Sequence, residues 1–305
     1  MWKFITHHEF SLGIFILFFS ALWMTIFLGS YNWFVVLPLG ISWAGLICLF
    51  DFFERKYFSH SVIPDTIWRG RKLFIISVVS LLFCVLLDGF GVFVARLWYY
   101  PFWSLKIYLA IAPFAFGAYT LLLFILYEFA KDLVTNHRKI NLGHYVKKQF
   151  YEMIMNSELV LGIIGYLLSI NYALRFLANP SLSSFIINQK GEVPFSGFYI
   201  IILVFIATFF IFEYICFKQN KQTLTHDILS GNFWPIIFIT IANIIAIVSI
   251  EFLNGPFQVW VFANWPYDNI RILNVPVVAM FLWPLQFPVF LSMLRALFPS
   301  KEVVW

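Results

Sequence analysis

The chain has 305 residues, of which 62% are hydrophobic and only 11% are charged. Soluble globular domains contain about 45–50% apolar and about 25% charged residues, so this composition excludes that class and predicts a polytopic membrane protein. The net charge of +5 is expected to lie in loops that orient the helices, and nucleic acid is not an expected partner.

Apolar runs predict eight transmembrane helices. About 20 apolar residues cross a bilayer, and only a helix satisfies its own backbone hydrogen bonds in lipid. The first run is longer than the apolar core of a signal peptide and lacks a cleavage site, so it is predicted to be a retained helix. The predicted helices cover residues 10–29, 33–52, 73–95, 107–130, 156–177, 197–217, 233–252 and 273–296. Pro276, Pro284 and Pro288 predict a bend in the last one.

Loop charges predict the orientation of these helices. Fifteen of the 20 Lys and Arg residues fall on the side of the membrane that also holds both ends of the chain. Cytoplasmic loops carry the excess of Lys and Arg, so both termini are predicted to be cytoplasmic. The expected location is the bacterial inner (cytoplasmic) membrane.

The two halves of the chain, residues 1–150 and 151–305, show signs of an internal duplication. Glu9 corresponds to Glu158, Asp51 to Glu213, Asp88 to Glu251 and Pro113 to Pro276, at offsets of 149, 162, 163 and 163 residues. Each half holds four predicted helices, which predicts parallel repeats about an axis along the membrane normal. The alternative is chance similarity among Phe- and Leu-rich helices.

Two acids near the predicted outer ends of helices are the candidate catalytic residues. Asp88 and Glu251 each precede a glycine-containing break and an aromatic loop. Acids in membrane helices usually face the bundle interior, and a carboxyl group held among apolar side chains can act as a proton donor. In the alternative interpretation, each acid caps a helix or pairs with Arg96 or Arg271.

The aromatic loops that follow these acids supply the candidate substrate-binding residues. These are Trp98, Tyr100, Asn254, Trp260, Phe262 and Trp265. Aromatic rings can line a pocket for a lipid or polyene and can stabilise a carbocation with their faces. The alternative is an ordinary belt of aromatic residues at the membrane interface.

The histidines and cysteines do not predict a metal site. All six histidines fall on the predicted cytoplasmic side, and only His7 and His8 are adjacent. A membrane di-iron site needs several close groups of histidines, and no Cys-x-x-Cys motif is present. No phosphate-binding loop or catalytic Ser/His/Asp set is recognisable either. We therefore expect no metal and no cofactor.

The second hairpin resembles a pattern found in uncharacterised bacterial polytopic membrane proteins, with an acid and Asn at a helix end, a Trp-x-aromatic loop and a Pro-led helix. The residues that carry it are Glu251, Asn254, Trp260, Phe262, Asn274, Pro276, Phe287 and Pro288. More distantly, the segment from Asp88 through Leu97-Trp98-Tyr99 to Tyr127-Glu128 is similar to the transmembrane lycopene (carotenoid) cyclase domain.

That resemblance implies an isomerase that cyclises a carotenoid end group by proton donation. The family carries Pro-x-Glu-Glu at its loop-to-helix junction, whereas this chain has Pro113-Phe-Ala-Phe and Pro276-Val-Val-Ala there. Only Asp88 and Glu251 remain as proton donors.

Three functions of different class follow from these observations. The first is binding or conversion of an apolar lipid or isoprenoid in an outer-leaflet pocket, with membrane lipid and an apolar small molecule as partners. The second is secondary transport, with the acids as coupling sites. The third is a non-catalytic subunit or scaffold of a membrane complex. Whether the protein is an enzyme, and its oligomeric state, stay open at this point.

Overall fold

A computed structural model describes residues 2–27, 33–59, 70–135, 145–178, 190 and 196–298. The chain is mostly helical, and seven helices in these described ranges are long and apolar enough to cross a membrane. This is the architecture of an all-α polytopic membrane protein, as the composition predicts.

The first half contains three long helices and one interrupted helix. They are α1 (Trp2–Ile26), α2 (Trp33–Phe53), α3 (Gly70–Phe83), α4 (Phe90–Phe93) and α5 (Leu105–Thr135). A π-helical segment, Cys84–Gly89, joins α3 to α4, and a second one, Glu54–Phe58, follows α2. A π-helical turn contains one extra residue, and such turns are frequent at functional sites.

The second half also contains several long helices. Its helices are α6 (Lys148–Ala178), α7 (Ser196–Lys218), α8 (Leu224–Leu229), α9 (Trp234–Asn254), α10 (Val277–Leu282) and α11 (Gln286–Leu297). A 3₁₀ turn, Trp283–Leu285, separates α10 from α11, so the last predicted helix is interrupted where its prolines predict a bend. Four short strands complete the fold: β1 (Trp98–Tyr99), β2 (Val261–Phe262), β3 (Arg271–Ile272) and β4 (Val275–Pro276).

The helices pack in pairs around a central core. α1 packs on α2 and α6 on α7, while α2 contacts α5 and α7 contacts α11. The two halves meet where α5 packs on α9 and α3 on α11. Fully buried side chains at the centre include Leu122, Tyr127 and Phe290. The peripheral helices α1 and α6 expose large apolar side chains such as Phe18 and Leu167, as lipid-facing helices do.

Seven of the eight predicted runs overlap a candidate span, although α1 and α6 begin eight residues before the predicted starts, at Trp2 and Lys148. The fourth, 107–130, lies inside α5, which is helical over 31 residues but is not among the seven candidate spans. The side chains of 111–114 and 116 lie outside the described residues, and so does most of the predicted outer loop 177–196.

The end of the bundle away from the aromatic loops buries several carboxylates in hydrogen bonds. Arg55 forms an ion pair with Glu9. In the second half, the Thr225 backbone N–H donates to Glu213 at 2.9 Å, and the Thr225 hydroxyl donates to Glu158 at 2.7 Å. These bonds join α1 to the π-helical segment that follows α2, and α6 and α7 to α8. The partnered acids therefore hold helix ends together.

Candidate functional site

Asp88 lies in the π-helical segment and accepts three hydrogen bonds from aromatic side chains. Its Oδ1 accepts from Trp98 Nε1 at 2.8 Å and from the Tyr100 hydroxyl at 2.7 Å. Its Oδ2 accepts from the Tyr108 hydroxyl at 2.6 Å. Asp88 is 5% exposed, so these donors replace the water that a carboxylate needs.

Glu251 has an analogous environment near the end of α9. Its Oε1 accepts from Trp260 Nε1 at 3.2 Å, and its Oε2 accepts from Asn254 Nδ2 at 3.0 Å. Asn254 also bonds both backbone groups of Trp260, through its Nδ2 at 3.1 Å and its Oδ1 at 3.2 Å. The acid and the amide together fix the position of the following tryptophan.

The two aromatic loops pair directly with each other. β1 and β2 form an antiparallel ladder in which Trp98 lies opposite Phe262 and Tyr99 opposite Val261. Two further hydrogen bonds join the loops beyond the ladder. The Ala263 backbone N–H and the Trp265 indole N–H both donate to the Leu97 carbonyl, at 2.9 and 2.7 Å. The loops of the two halves therefore form one structural unit.

The backbone of this unit is unusually strained. Six of the eight described non-glycine residues with positive φ lie in the two loops: Arg96, Gln258, Asn264, Tyr267, Leu273 and Asn274. Left-handed backbone costs free energy in such residues, and it persists where surrounding contacts impose it. The extra hydrogen bonds of Asn264 and Arg271 to backbone carbonyls are contacts of that kind.

A cavity of about 150 Å³ lies beneath the paired loops. Its wall is mostly apolar and combines five tryptophans with other aromatic, aliphatic and polar side chains. The wall consists of Trp43, Leu87, Asp88, Trp98, Tyr100, Tyr119, Ile201, Ile202, Phe205, Ile250, Trp260, Phe262, Trp265, Ala279, Leu282, Trp283, Leu285 and Gln286. Both halves of the chain contribute to it, through α2, the π segment and α5 on one side and α7, α9, α10 and α11 on the other.

Six of the eight predicted site residues line this cavity: Asp88, Trp98, Tyr100, Trp260, Phe262 and Trp265. The remaining two, Glu251 and Asn254, are buried behind the wall and contact it through Trp260. The two acids therefore serve the same cavity, Asp88 directly and Glu251 through a tryptophan.

The arginines considered as partners of the acids make other contacts. The Arg96 guanidinium lies 5.2 Å from the centre of the Phe176 ring, and its burial lowers the pKa of this side chain. Arg271 binds Asp268 and the Phe262 carbonyl. The described hydrogen bonds of Asp88 and Glu251 all come from neutral donors instead.

Sequence patterns did not reveal three polar residues of the wall. Trp283 Nε1 donates to the Tyr119 hydroxyl at 3.2 Å, and that hydroxyl donates to Gln286 Oε1 at 2.6 Å. Tyr119 and Gln286 are 167 positions apart and meet only because α5 packs near α11. A polar residue inside an apolar run was the one available signal, and Gln286 in the last helix carries it.

No group of three His, Cys, Asp or Glu residues within the described ranges is arranged to hold a metal ion. Comparison of the chain with protein-family models, curated proteins and solved structures finds no match.

Proposed function

We propose that the protein is an integral membrane protein that binds an apolar lipid or isoprenoid group in the cavity beneath the paired loops. The observation that carries this proposal is the composition of the wall, where five indole rings surround a mostly apolar space. Aromatic rings provide large rigid contact areas, and an apolar cavity favours an apolar occupant over water.

The size of the cavity defines the part of the ligand that it accepts. A cavity near 150 Å³ is filled by a single ring, since an apolar cavity of about that volume in another protein binds benzene. A long polyene does not fit within such a volume. We therefore expect a ring-sized end group to enter the cavity, while any attached chain stays outside it.

Asp88 and Glu251 support this function by fixing the tryptophans. Each carboxylate holds an indole N–H, from Trp98 in one loop and from Trp260 in the other. Because these N–H groups are engaged inside the protein, the indoles present carbon surface to the cavity. By binding these N–H groups, the Asp88 and Glu251 carboxylates help to keep the cavity wall apolar.

The test is binding of a ring-sized apolar probe to the purified protein in lipid nanodiscs, followed by tryptophan fluorescence. Ala279 is buried in the wall, so Ala279→Phe fills the cavity and is expected to abolish binding. Ala296, buried outside the wall, provides the control Ala296→Phe, which is expected to retain binding. Equal binding by wild type and Ala279→Phe would reject this site, and no binding by wild type would favour the scaffold hypothesis.

Conversion of the ligand by carotenoid-cyclase-type chemistry is a second candidate. It is supported by the position of Asp88 in the wall, where Oδ2 accepts only one described hydrogen bond and has a lone pair left for a proton. Asp88→Asn is expected to abolish conversion of a linear carotenoid, and Glu251→Gln is expected to reduce it through Trp260. Unchanged conversion in both variants would reject the catalytic role and leave the binding role intact.

We further propose that the fold contains eight spans in two parallel repeats, with both termini cytoplasmic. α5 supplies the eighth span, since 31 helical residues extend about 46 Å. The strand register supports the repeat. At the offset of 163 that relates Asp88 to Glu251 and Pro113 to Pro276, Trp98 corresponds to Val261 and Tyr99 to Phe262, so the pair Trp98–Phe262 maps onto the pair Tyr99–Val261. A pairing that maps onto itself in this way is expected at a two-fold axis between equivalent halves.

A further inference from the structure

The polar groups of the cavity wall are almost all satisfied within the protein. Four of the five indole N–H groups donate to protein acceptors: Trp98 to Asp88, Trp260 to Glu251, Trp265 to the Leu97 carbonyl and Trp283 to the Tyr119 hydroxyl. The fifth, Trp43 Nε1, is buried and has no acceptor among the described residues. Trp43 is 5% exposed, so bulk water does not replace that acceptor.

Gln286 provides a second donor of the same kind. Tyr119 accepts from Trp283 and donates to Gln286 Oε1, which orients the amide with its oxygen toward Tyr119. Gln286 Nε2 then has no partner within the described ranges, although the residue is 5% exposed. Both unpartnered donors contact Tyr119, Gln286 by this hydrogen bond and Trp43 by ring packing at 5.2 Å between ring centres. They therefore lie on the same side of the cavity.

Buried donors without acceptors are costly and rare, and these are the two such atoms in the wall of this cavity. Both atoms only donate, so the missing partner is an acceptor. A bound water would also have to place its own two hydrogens on acceptors, whereas the wall of this cavity is mostly apolar. A carbonyl oxygen accepts two hydrogen bonds and donates none, which matches the two vacant donors.

We propose that the ligand of the cavity is an apolar ring that carries a ketone-type carbonyl oxygen, bound by Trp43 Nε1 and Gln286 Nε2. This inference rests on the proposed binding function and specifies its ligand class. The aromatic wall surrounds the ring, and the two donors fix its orientation. Trp43 and Gln286 are then the residues that determine specificity.

The test compares three ligands of one shape: isophorone, its alcohol isophorol and the parent trimethylcyclohexene, each added to full-length protein in nanodiscs. The ketone is expected to bind about tenfold more tightly than the hydrocarbon, as gained hydrogen bonds to buried donors predict. The infrared carbonyl stretch of bound isophorone is expected at lower frequency than in a hydrocarbon solvent. This comparison needs no variant and does not depend on the folding of one.

Two variants then locate the donors. Gln286→Leu and Trp43→Phe are each expected to remove most of the preference for the ketone and to shift the carbonyl stretch back toward its value in hydrocarbon. Matched controls change buried polar groups outside the wall. Asn243→Leu replaces a buried amide, and Trp103→Phe removes another buried indole N–H without a described acceptor. Both controls are expected to keep the preference of wild type.

Each of the other possible results would reject one specific part of the proposal. Equal binding of ketone and hydrocarbon would overturn the carbonyl site while leaving the apolar cavity as a binding site. Alcohol binding as tight as ketone binding would overturn the assignment of a carbonyl. Absence of binding by all three ligands would reject the proposed function itself. A preference that survives in both Gln286→Leu and Trp43→Phe would show that other groups recognise the oxygen.

Discussion

At the scale of single residues, the hydrogen bonds of Asp88 account for more of the loop structure than any one aromatic contact. The carboxylate receives donors from Trp98 and Tyr100 in the first loop and from Tyr108 in α5. One buried side chain therefore connects the π segment, the loop and the next helix.

Asp88→Ala is expected to destabilise the protein by at least about 3 kcal/mol, because three buried donors lose a charged acceptor at once and each such bond is worth about 1.5–3 kcal/mol. Tyr108→Phe removes one donor and leaves the other two in place, so its effect is expected to be much smaller. Thermal unfolding in detergent, followed by intrinsic fluorescence, measures both variants. Equal losses would show that the carboxylate does not organise the loop.

At the scale of secondary structure elements, α4 and the first loop are held together by a close approach at Gly91. A side-chain carbon at this position would overlap the indole of Trp98. The short helix and the cavity wall therefore share a contact that only glycine permits.

Gly91→Ala is expected to displace Trp98 from Asp88, to destabilise the protein by about 1–3 kcal/mol and to weaken binding of the apolar probe about tenfold. Gly117→Ala provides the control, because a carbon added there meets no atom within 4 Å, and alanine favours a helix by up to about 1 kcal/mol. Fluorescence binding and thermal unfolding measure both effects. Normal binding by Gly91→Ala would contradict the role of Trp98 in the wall.

The end of α11 depends on a lysine from another element. Lys221 Nζ donates to the backbone carbonyls of Arg295, Ala296 and Phe298, at 2.7, 3.0 and 2.6 Å. A cation at a helix C-terminus satisfies carbonyls that have no helical partner.

Lys221→Met is accordingly expected to destabilise the protein by about 1–3 kcal/mol and to increase amide hydrogen exchange at the end of α11. The control is Lys218→Met, since Lys218 lies over the Tyr214 and Phe217 rings and contributes about 0.5–1 kcal/mol by that contact. Hydrogen exchange detected by mass spectrometry distinguishes the Lys221→Met variant from the Lys218→Met control. Unchanged amide protection at the end of α11 in Lys221→Met would contradict the role of Lys221 as a cap.

The long helices were predictable because each is a continuous apolar run. Helix α9, Trp234–Asn254, was predicted as 233–252. The π-helical segment that carries Asp88 was not predicted, since no residue pattern distinguishes it from an α-helix. Five predicted wall residues belong to the aromatic loops and Asp88 precedes the first loop, but Trp43, Tyr119 and Gln286 reach the cavity through helix packing. Tertiary contacts of that kind leave no local signal in a sequence.

At the scale of the whole molecule, the paired loops lie at one end of the bundle and the partnered acids at the other. In the proposed orientation, the paired loops face away from the cytoplasm. Fifteen of the 20 Lys and Arg residues are predicted from the sequence to lie on the opposite side.

This orientation is testable by cysteine labelling after replacement of the three native cysteines. Asp268→Cys, in the second loop, is expected to react with a membrane-impermeant maleimide in intact cells. Gln219→Cys, beyond the end of α7, is expected to react only after the membrane is permeabilised. Reaction of both positions in intact cells would contradict the proposed topology.

The side chains that donate hydrogen bonds between the two loops come from the second half of the chain. Asn264 and Trp265 donate from their side chains, but the acceptors in the first half are the backbone carbonyls of Arg96 and Leu97. Every amino acid supplies a carbonyl, so exchanging the side chain of either acceptor residue leaves the bonding atom in place. This joint therefore constrains the side chains of Asn264 and Trp265 in the second loop, but only the backbone of Arg96 and Leu97 in the first.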